Sequence, residues 1–101
     1  MSSVITCTTP TIKYRFTVAD PSTFTKAYLT IRQGSTVLIE RDLSTATIDD
    51  MTVSWTLTQE ETHQFDNTVT VQINWLTDGG VRGASEKTRL TISENSKDEV
   101  I

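Results

Sequence analysis

The sequence predicts an all-β fold in which two sheets face each other across one core, with a single short helical corner between strands. Three observations predict it. β-Branched residues dominate: the chain has twenty Thr, eight Val and eight Ile, side chains that are stiff at χ1 and suit a pleated surface better than a helix. Apolar residues recur with a period of two in several separate stretches, as half-buried strands require. Clusters of Asp, Pro, Gly and Ser punctuate those stretches, and that is turn chemistry. A chain of 101 residues makes one domain. Its expected core covers about 10–93, with an N-terminal arm over 1–9 and a C-terminal tail over 94–101.

Taken in order, the first ten residues are rich in Ser and Thr. Val4-Ile5-Thr6-Cys7 reads as an edge strand or an arm, and Pro10 ends it because proline has no N–H to give a ladder. Ile12, Tyr14, Phe16 and Val18 alternate with Lys13, Arg15 and Thr17. That is strand 12–18, apolar on one face and polar on the other. Asp20-Pro21-Ser22 is a turn with φ preset by proline. In strand 26–33, Ala27, Leu29 and Ile31 share one face while Tyr28, Thr30 and Arg32 share the other. Gly34-Ser35 turns the chain tightly into strand 36–41, with Val37 and Ile39 inward. Residues 43–50 are polar and irregular, with Leu43 and Ile48 tucked underneath.

The next stretch is the most organised. Met51, Val53, Trp55 and Leu57 alternate with Thr52, Ser54 and Thr56 to give strand 51–57. Thr58-Gln59-Glu60-Glu61 fits a capping box, in which the Thr58 hydroxyl and the Glu61 carboxylate each satisfy the other residue's backbone N–H. One helical turn through Gln64 follows. Val69, Val71, Ile73 and Trp75 then alternate with Thr70, Gln72 and Asn74 to give strand 68–76. Asp78-Gly79-Gly80 marks a second hairpin. The last strand covers 82–93, with Leu90 and Ile92 inward and Gly83 at a bulge. The expected core is Tyr14, Phe16, Leu29, Ile31, Val53, Trp55, Val71, Ile73, Trp75 and Leu90.

The connections set the architecture. Strands 12–18 and 51–57 share one sheet, and strands 26–33, 36–41, 68–76 and 82–93 form the other. Tight hairpins join neighbours within the second sheet, while the loops at 20–25 and 58–67 cross between sheets. This is the order of a two-sheet immunoglobulin-like or fibronectin type III-like sandwich. It lacks the cysteine pair that bridges the sheets of true immunoglobulin domains, since Cys7 is the only cysteine.

Charge narrows the partners. A net charge of −4 and a pI of about 4.8 provide no basic patch for phosphates, so neither nucleic acid nor an anionic membrane is an expected partner. No run of about 18 apolar residues is long enough to cross a bilayer. Met1-Ser2-Ser3-Val4-Ile5 lacks the charged n-region and long apolar h-region of a secretory signal. One cysteine builds no internal disulfide framework, which fits synthesis in a reducing cytoplasm.

No residue set asks for a reaction, so no enzyme activity, catalytic residue, cofactor or metal is expected. His63 reads as a solvated corner residue, because a general base needs a positioned reacting group and a pocket. Glu60 and Glu61 suit the start of a helix. Asp49-Asp50 and Asp66-Asn67 read as turns, since calcium needs roughly six to eight converging oxygens. Asp98 and Glu99 solvate the tail. Cys7 reads as buried beside a strand, with no His or Lys near it in sequence to lower its pKa. Trp55 and Trp75 keep the register of Val and Leu neighbours, which assigns them to the core and not to a sugar-binding platform. Tyr28 and Phe24 are the aromatic candidates for an exposed contact.

Several motifs follow one another along the chain: Thr8-Thr9-Pro10-Thr11 before the first clear strand, the run from Leu57 to Thr62 before Phe65, Val71-Gln72-Ile73, Asp78-Gly79-Gly80, Ala84-Ser85, and a tail ending Asp98-Glu99-Val100-Ile101. In this order they resemble the small all-β virion or tail-region proteins of tailed phages and prophages of gut Firmicutes, and distantly the N-terminal domains of baseplate upper proteins. The resemblance implies a virion structural protein made in the bacterial host cytoplasm, an adaptor in the tail or baseplate region. It leaves two alternatives: a capsid decoration protein, and a small carbohydrate- or protein-binding module for host recognition. The partners it implies are other virion proteins, copies of the same chain among them, and it transfers no catalytic residue.

The expected contact residues lie at the ends and on one sheet face. An uncharged edge strand templates pairing with another chain, which points to Val4, Ile5 and Cys7. Val100 and Ile101 make a small apolar anchor behind a polar stretch, and Tyr28 lies opposite in phase to Leu29 and Ile31. On this reading the body over 10–93 folds alone while both ends dock onto neighbours.

Overall fold

A computed structural model of the chain describes every residue except Met1 and Val18, and the backbone alone of Ser2. The elements are β1 (Ser2–Ile5), β2 (Thr11–Arg15), a 3-10 turn (Pro21–Thr23), β3 (Phe24–Gln33), β4 (Thr36–Asp42), a second 3-10 turn (Leu43–Thr45), β5 (Thr47–Asp49), β6 (Thr52–Thr56), α1 (Gln59–His63), β7 (Thr68–Thr77), β8 (Arg82–Ala84) and β9 (Thr88–Ser93). They form two sheets. One runs β1-β9-β7-β3-β4, with β8 also paired to β7, and the other runs β2-β6-β5. The molecule is the two-sheet, all-β sandwich that strand alternation predicts.

The core lies between the sheets. Leu29, Ile31, Val53, Trp55, Leu57 and Val69 are almost wholly enclosed. Trp55 also donates its indole N–H to the Asp42 carbonyl at 2.9 Å, so its one polar atom is satisfied on burial. Phe16 sits between Tyr14, Phe24 and Trp75, with ring centroids 4.7, 5.0 and 4.8 Å away. The Phe16 N–H continues the β2–β6 ladder by donating to the Met51 carbonyl at 2.8 Å. The strand ends at Arg15 and the chain bends at Thr17, short of the expected end at Val18, which itself lies outside the described residues. Tyr14 and Trp75 pack against the core but stay half-buried, short of the full enclosure expected of them.

Two bulges move side chains off their expected faces. Phe24 pairs with Thr77 and Lys26 with Leu76, so Thr25 is an extra residue in β3. The extra residue turns Phe24 inward with Ala27, and Phe24 is buried, not an exposed contact. On the other edge Ile31 pairs with Ile39 but Arg32 with Val37, which leaves Leu38 extra in β4. Ile39 is buried as expected, whereas Val37 is turned out to solvent.

Residues 43–50 are more regular than their composition suggests. They hold the second 3-10 turn and β5, an edge strand paired with β6. Leu43 packs against the core margin, but Ile48 stays exposed, on an edge strand none of whose residues is buried. Asp50 and Asn67 take left-handed φ of 54° and 53°, a conformation that short polar side chains tolerate in turns.

The last expected strand is split at Ser85. Its N–H donates to the Ile73 carbonyl at 2.8 Å and its hydroxyl accepts the Ile73 N–H at 2.9 Å. One serine thus carries the ladder across the gap between β8 and β9. Gly83 marks a close approach, not a bulge: a Cβ there would meet the Trp75 ring at 2.4 Å. Gly34 takes φ 61° in the tight turn between β3 and β4, as a two-residue hairpin demands.

Candidate protein-binding surface

The N-terminal segment is a strand of the body, which corrects the division into a separate arm and core. β1 pairs in parallel with β9, Val4 opposite Ile92. Alternation then sends Val4 into the core, 5% exposed, and leaves Ile5 50% exposed. Cys7 is buried as well. Of the three expected contact residues on this edge, only Ile5 presents its side chain. Because β1 ends the strand order, no strand among the described residues lies beside its outer edge.

The other end of that sheet differs. β4 carries Glu40 and Arg41. Arg41 pairs with inward-facing Leu29, and its guanidinium donates to the Glu61 carboxylate at 2.7 Å. Charged side chains, one of them on the inner face, are a standard guard against strand addition. β1 carries none. Beside β1 the sandwich is also open. β2 ends the second sheet, and between the two edges lies a cleft of about 320 Å³ lined by Val4, Ile12, Tyr14, Val71, Ile73 and Leu90 among others.

The C-terminal segment folds back on its own chain. Asn95 donates its N–H to the Thr6 hydroxyl and its side-chain amide to the Thr6 carbonyl, both at 3.0 Å. The Gln59 side chain binds Ile101 at two points: its amide nitrogen donates to the Ile101 carbonyl at 3.1 Å, and its oxygen accepts the Ile101 N–H at 2.8 Å. The apolar side chains stay available, Val100 at 41% and Ile101 at 84% exposure. Tyr28 is 36% exposed on the outer face of the larger sheet, in a shallow recess with Lys26, Asn74 and Arg82. It is remote in topology from β1, with β9, β7 and β3 leading from one to the other.

The fold also gathers three residues that sequence reasoning treated separately. Cys7 follows β1, His63 ends α1 and Asp98 lies in the tail. The Cys7 thiol donates to the Asp98 carboxylate at 3.7 Å, and His63 Nε2 lies 3.7 Å from the same oxygen. Burial pushes the Cys7 thiol pKa up, and the hydrogen bond to Asp98 and its charge push it further. A thiol held neutral in this way is a poor nucleophile.

No known protein-family model matches the chain, and no curated protein is similar to it in sequence at a significant level.

Proposed function

We propose that this chain is a non-enzymatic structural module of a phage particle, an adaptor in the tail or baseplate region that joins neighbouring virion proteins through its N-terminal edge. The observation that carries the joining role is β1: an uncharged strand that ends its sheet, with Ile5 turned outward and an open cleft at its side. An added strand there gains main-chain hydrogen bonds from the edge and apolar contact from the cleft. The guarded β4 edge supports the same choice by contrast. The phage setting rests on the order of motifs from Thr8 to Ile101. The neutral Cys7 thiol supports a role without covalent catalysis.

Quantitative mass spectrometry of purified particles from a lysogen encoding the chain tests this reading. An adaptor is present at a few copies per particle. A copy number matching the capsid lattice replaces the adaptor by a decoration protein. Absence of the chain from particles overturns the virion role altogether, and binding of the isolated protein to host cells then favours host recognition.

A further inference from the structure

We propose that Cys7, His63 and Asp98 form a zinc site that fastens the C-terminal tail to the turn after β1 and to the end of α1. The ligand-capable atoms of the three residues all lie within 4.8 Å of one another. Two of the separations are known individually, 3.7 Å from Cys7 Sγ to Asp98 Oδ1 and 3.7 Å from His63 Nε2 to the same oxygen. The third, from Cys7 to the imidazole, is at most 4.8 Å. Zinc held tetrahedrally at about 2.0–2.3 Å spaces its ligand atoms roughly 3.3–3.7 Å apart, so the first two separations already fit, and side-chain movements of up to about 1 Å close the third. His63 and Asp98 side chains are 46% and 43% exposed and are free to make them.

The chemistry of the donors selects the ion. A thiolate, an imidazole and a carboxylate together suit zinc, whereas calcium and magnesium require oxygen ligands alone. Three protein ligands leave one tetrahedral position. Two of the ligands, His63 and Asp98, line a recess together with Asp66 and Glu94 among others, and water from that recess can complete the set.

The surroundings already hold two of the ligands. The Thr6 hydroxyl donates to Asp98 Oδ1 at 3.2 Å and is itself held by the Asn95 N–H, the kind of outer support that orients a ligating carboxylate. Cys7 is fixed by an uncommon backbone, with φ at 60°. Left-handed φ is rare in residues other than glycine, asparagine and aspartate, and marks positions that their surroundings over-determine. The next residue is clamped through both backbone groups by buried Thr62, one position before His63. The thiol and the imidazole are therefore positioned by one local structure, and only the tail ligand arrives from afar. Zinc binding replaces the thiol proton that now bonds to Asp98, so the proton leaves to solvent as the ion enters.

The test uses the full chain, stripped with a chelator, and needs no virion partner, so its outcome is separate from that of the adaptor reading. Zinc titrated by calorimetry binds at one ion per chain. Cobalt gives a thiolate charge-transfer band and the intense visible bands of tetrahedral coordination. Cys7→Ser removes the charge-transfer band. His63→Ala and Asp98→Asn each weaken zinc binding by at least the roughly 10–100-fold typical of outer-shell losses, and both change exposed side chains, so the fold survives them. Absence of stoichiometric zinc binding overturns the proposal. So does cobalt binding without a thiolate band, or zinc binding that survives all three substitutions; either outcome reduces the cluster to hydrogen bonds that dock the tail.

Discussion

The hydroxyl of Thr62 holds both backbone groups of Thr8: it accepts the Thr8 N–H at 3.1 Å and donates to the Thr8 carbonyl at 2.8 Å. Thr62 is fully buried, and it belongs to a helix of five residues whose own start is fixed by the capping box of Thr58 and Glu61. A capped corner after β6 thus anchors the turn that follows β1. Thr62→Val keeps the shape and deletes the hydroxyl, leaving two backbone groups of Thr8 without their partner. The expected loss is about 1–3 kcal/mol, read as a lower urea midpoint at unchanged slope.

Gly83 is predicted to be intolerant of even one carbon. A Cβ there meets the Trp75 indole at 2.4 Å, and that ring is itself packed on Phe16 and Phe24. Gly83→Ala is expected to push the indole outward and cost about 1–3 kcal/mol. Tryptophan fluorescence reports the displacement as a red shift, and Trp75→Leu in the same chain recovers most of the lost stability. Recovery fails if the strain lies elsewhere.

Asp20 and Asp42 make the same local device. Each accepts hydrogen bonds from the backbone N–H and hydroxyl of a serine two residues on, capping the two 3-10 turns. The bonds hold both carboxyl pKa values below the ordinary 3.8, through the Ser22 N–H first at Asp20 and the Ser44 hydroxyl first at Asp42. A carboxylate with a depressed folded pKa contributes stability above its unfolded value and loses it as pH falls through the folded one. Urea midpoints are therefore expected to decline from about pH 4 downward. The double variant Asp20→Asn, Asp42→Asn is less stable at pH 7 and shows a shallower decline. An unchanged slope refutes the assignment.

Ile5→Lys tests the proposed joining edge. Ile5 is half exposed, so the substitution is expected to change stability by within about 0.5 kcal/mol. A charge on an edge strand opposes strand addition, and the variant is expected to fold normally yet fail to enter particles. Normal incorporation moves the interface elsewhere, to the outer face bearing Tyr28.

Period-two alternation predicts the fold because strands β3, β6, β7 and β9 each bury one face, and the capping box of Thr58 is a local signal legible in four residues. The bulges at Thr25 and Leu38 have no such signal. Each inserts a residue without a breaker beside it, so Phe24 and Val37 change faces against their apparent phase. The site was harder still. Nothing within any one segment links Cys7, His63 and Asp98; their meeting depends on parallel pairing of β1 with β9 and on side-chain amides at Gln59 and Asn95 that hold the tail. Composition rightly describes residues 94–101 as polar, but polarity does not distinguish a solvated tail from one stitched to the body.

The pairing of β1 with β9 also sets a timetable. During synthesis β1 emerges ahead of every other strand described here, and β9, beside which it must lie, emerges after all of them. Contacts so distant along the chain form slowly, because the loop must close before they contribute. Until then Val4 has no core to enter and an uncharged strand waits without a neighbour. A strand edge left open over such an interval is the general condition for strand exchange between copies of a chain.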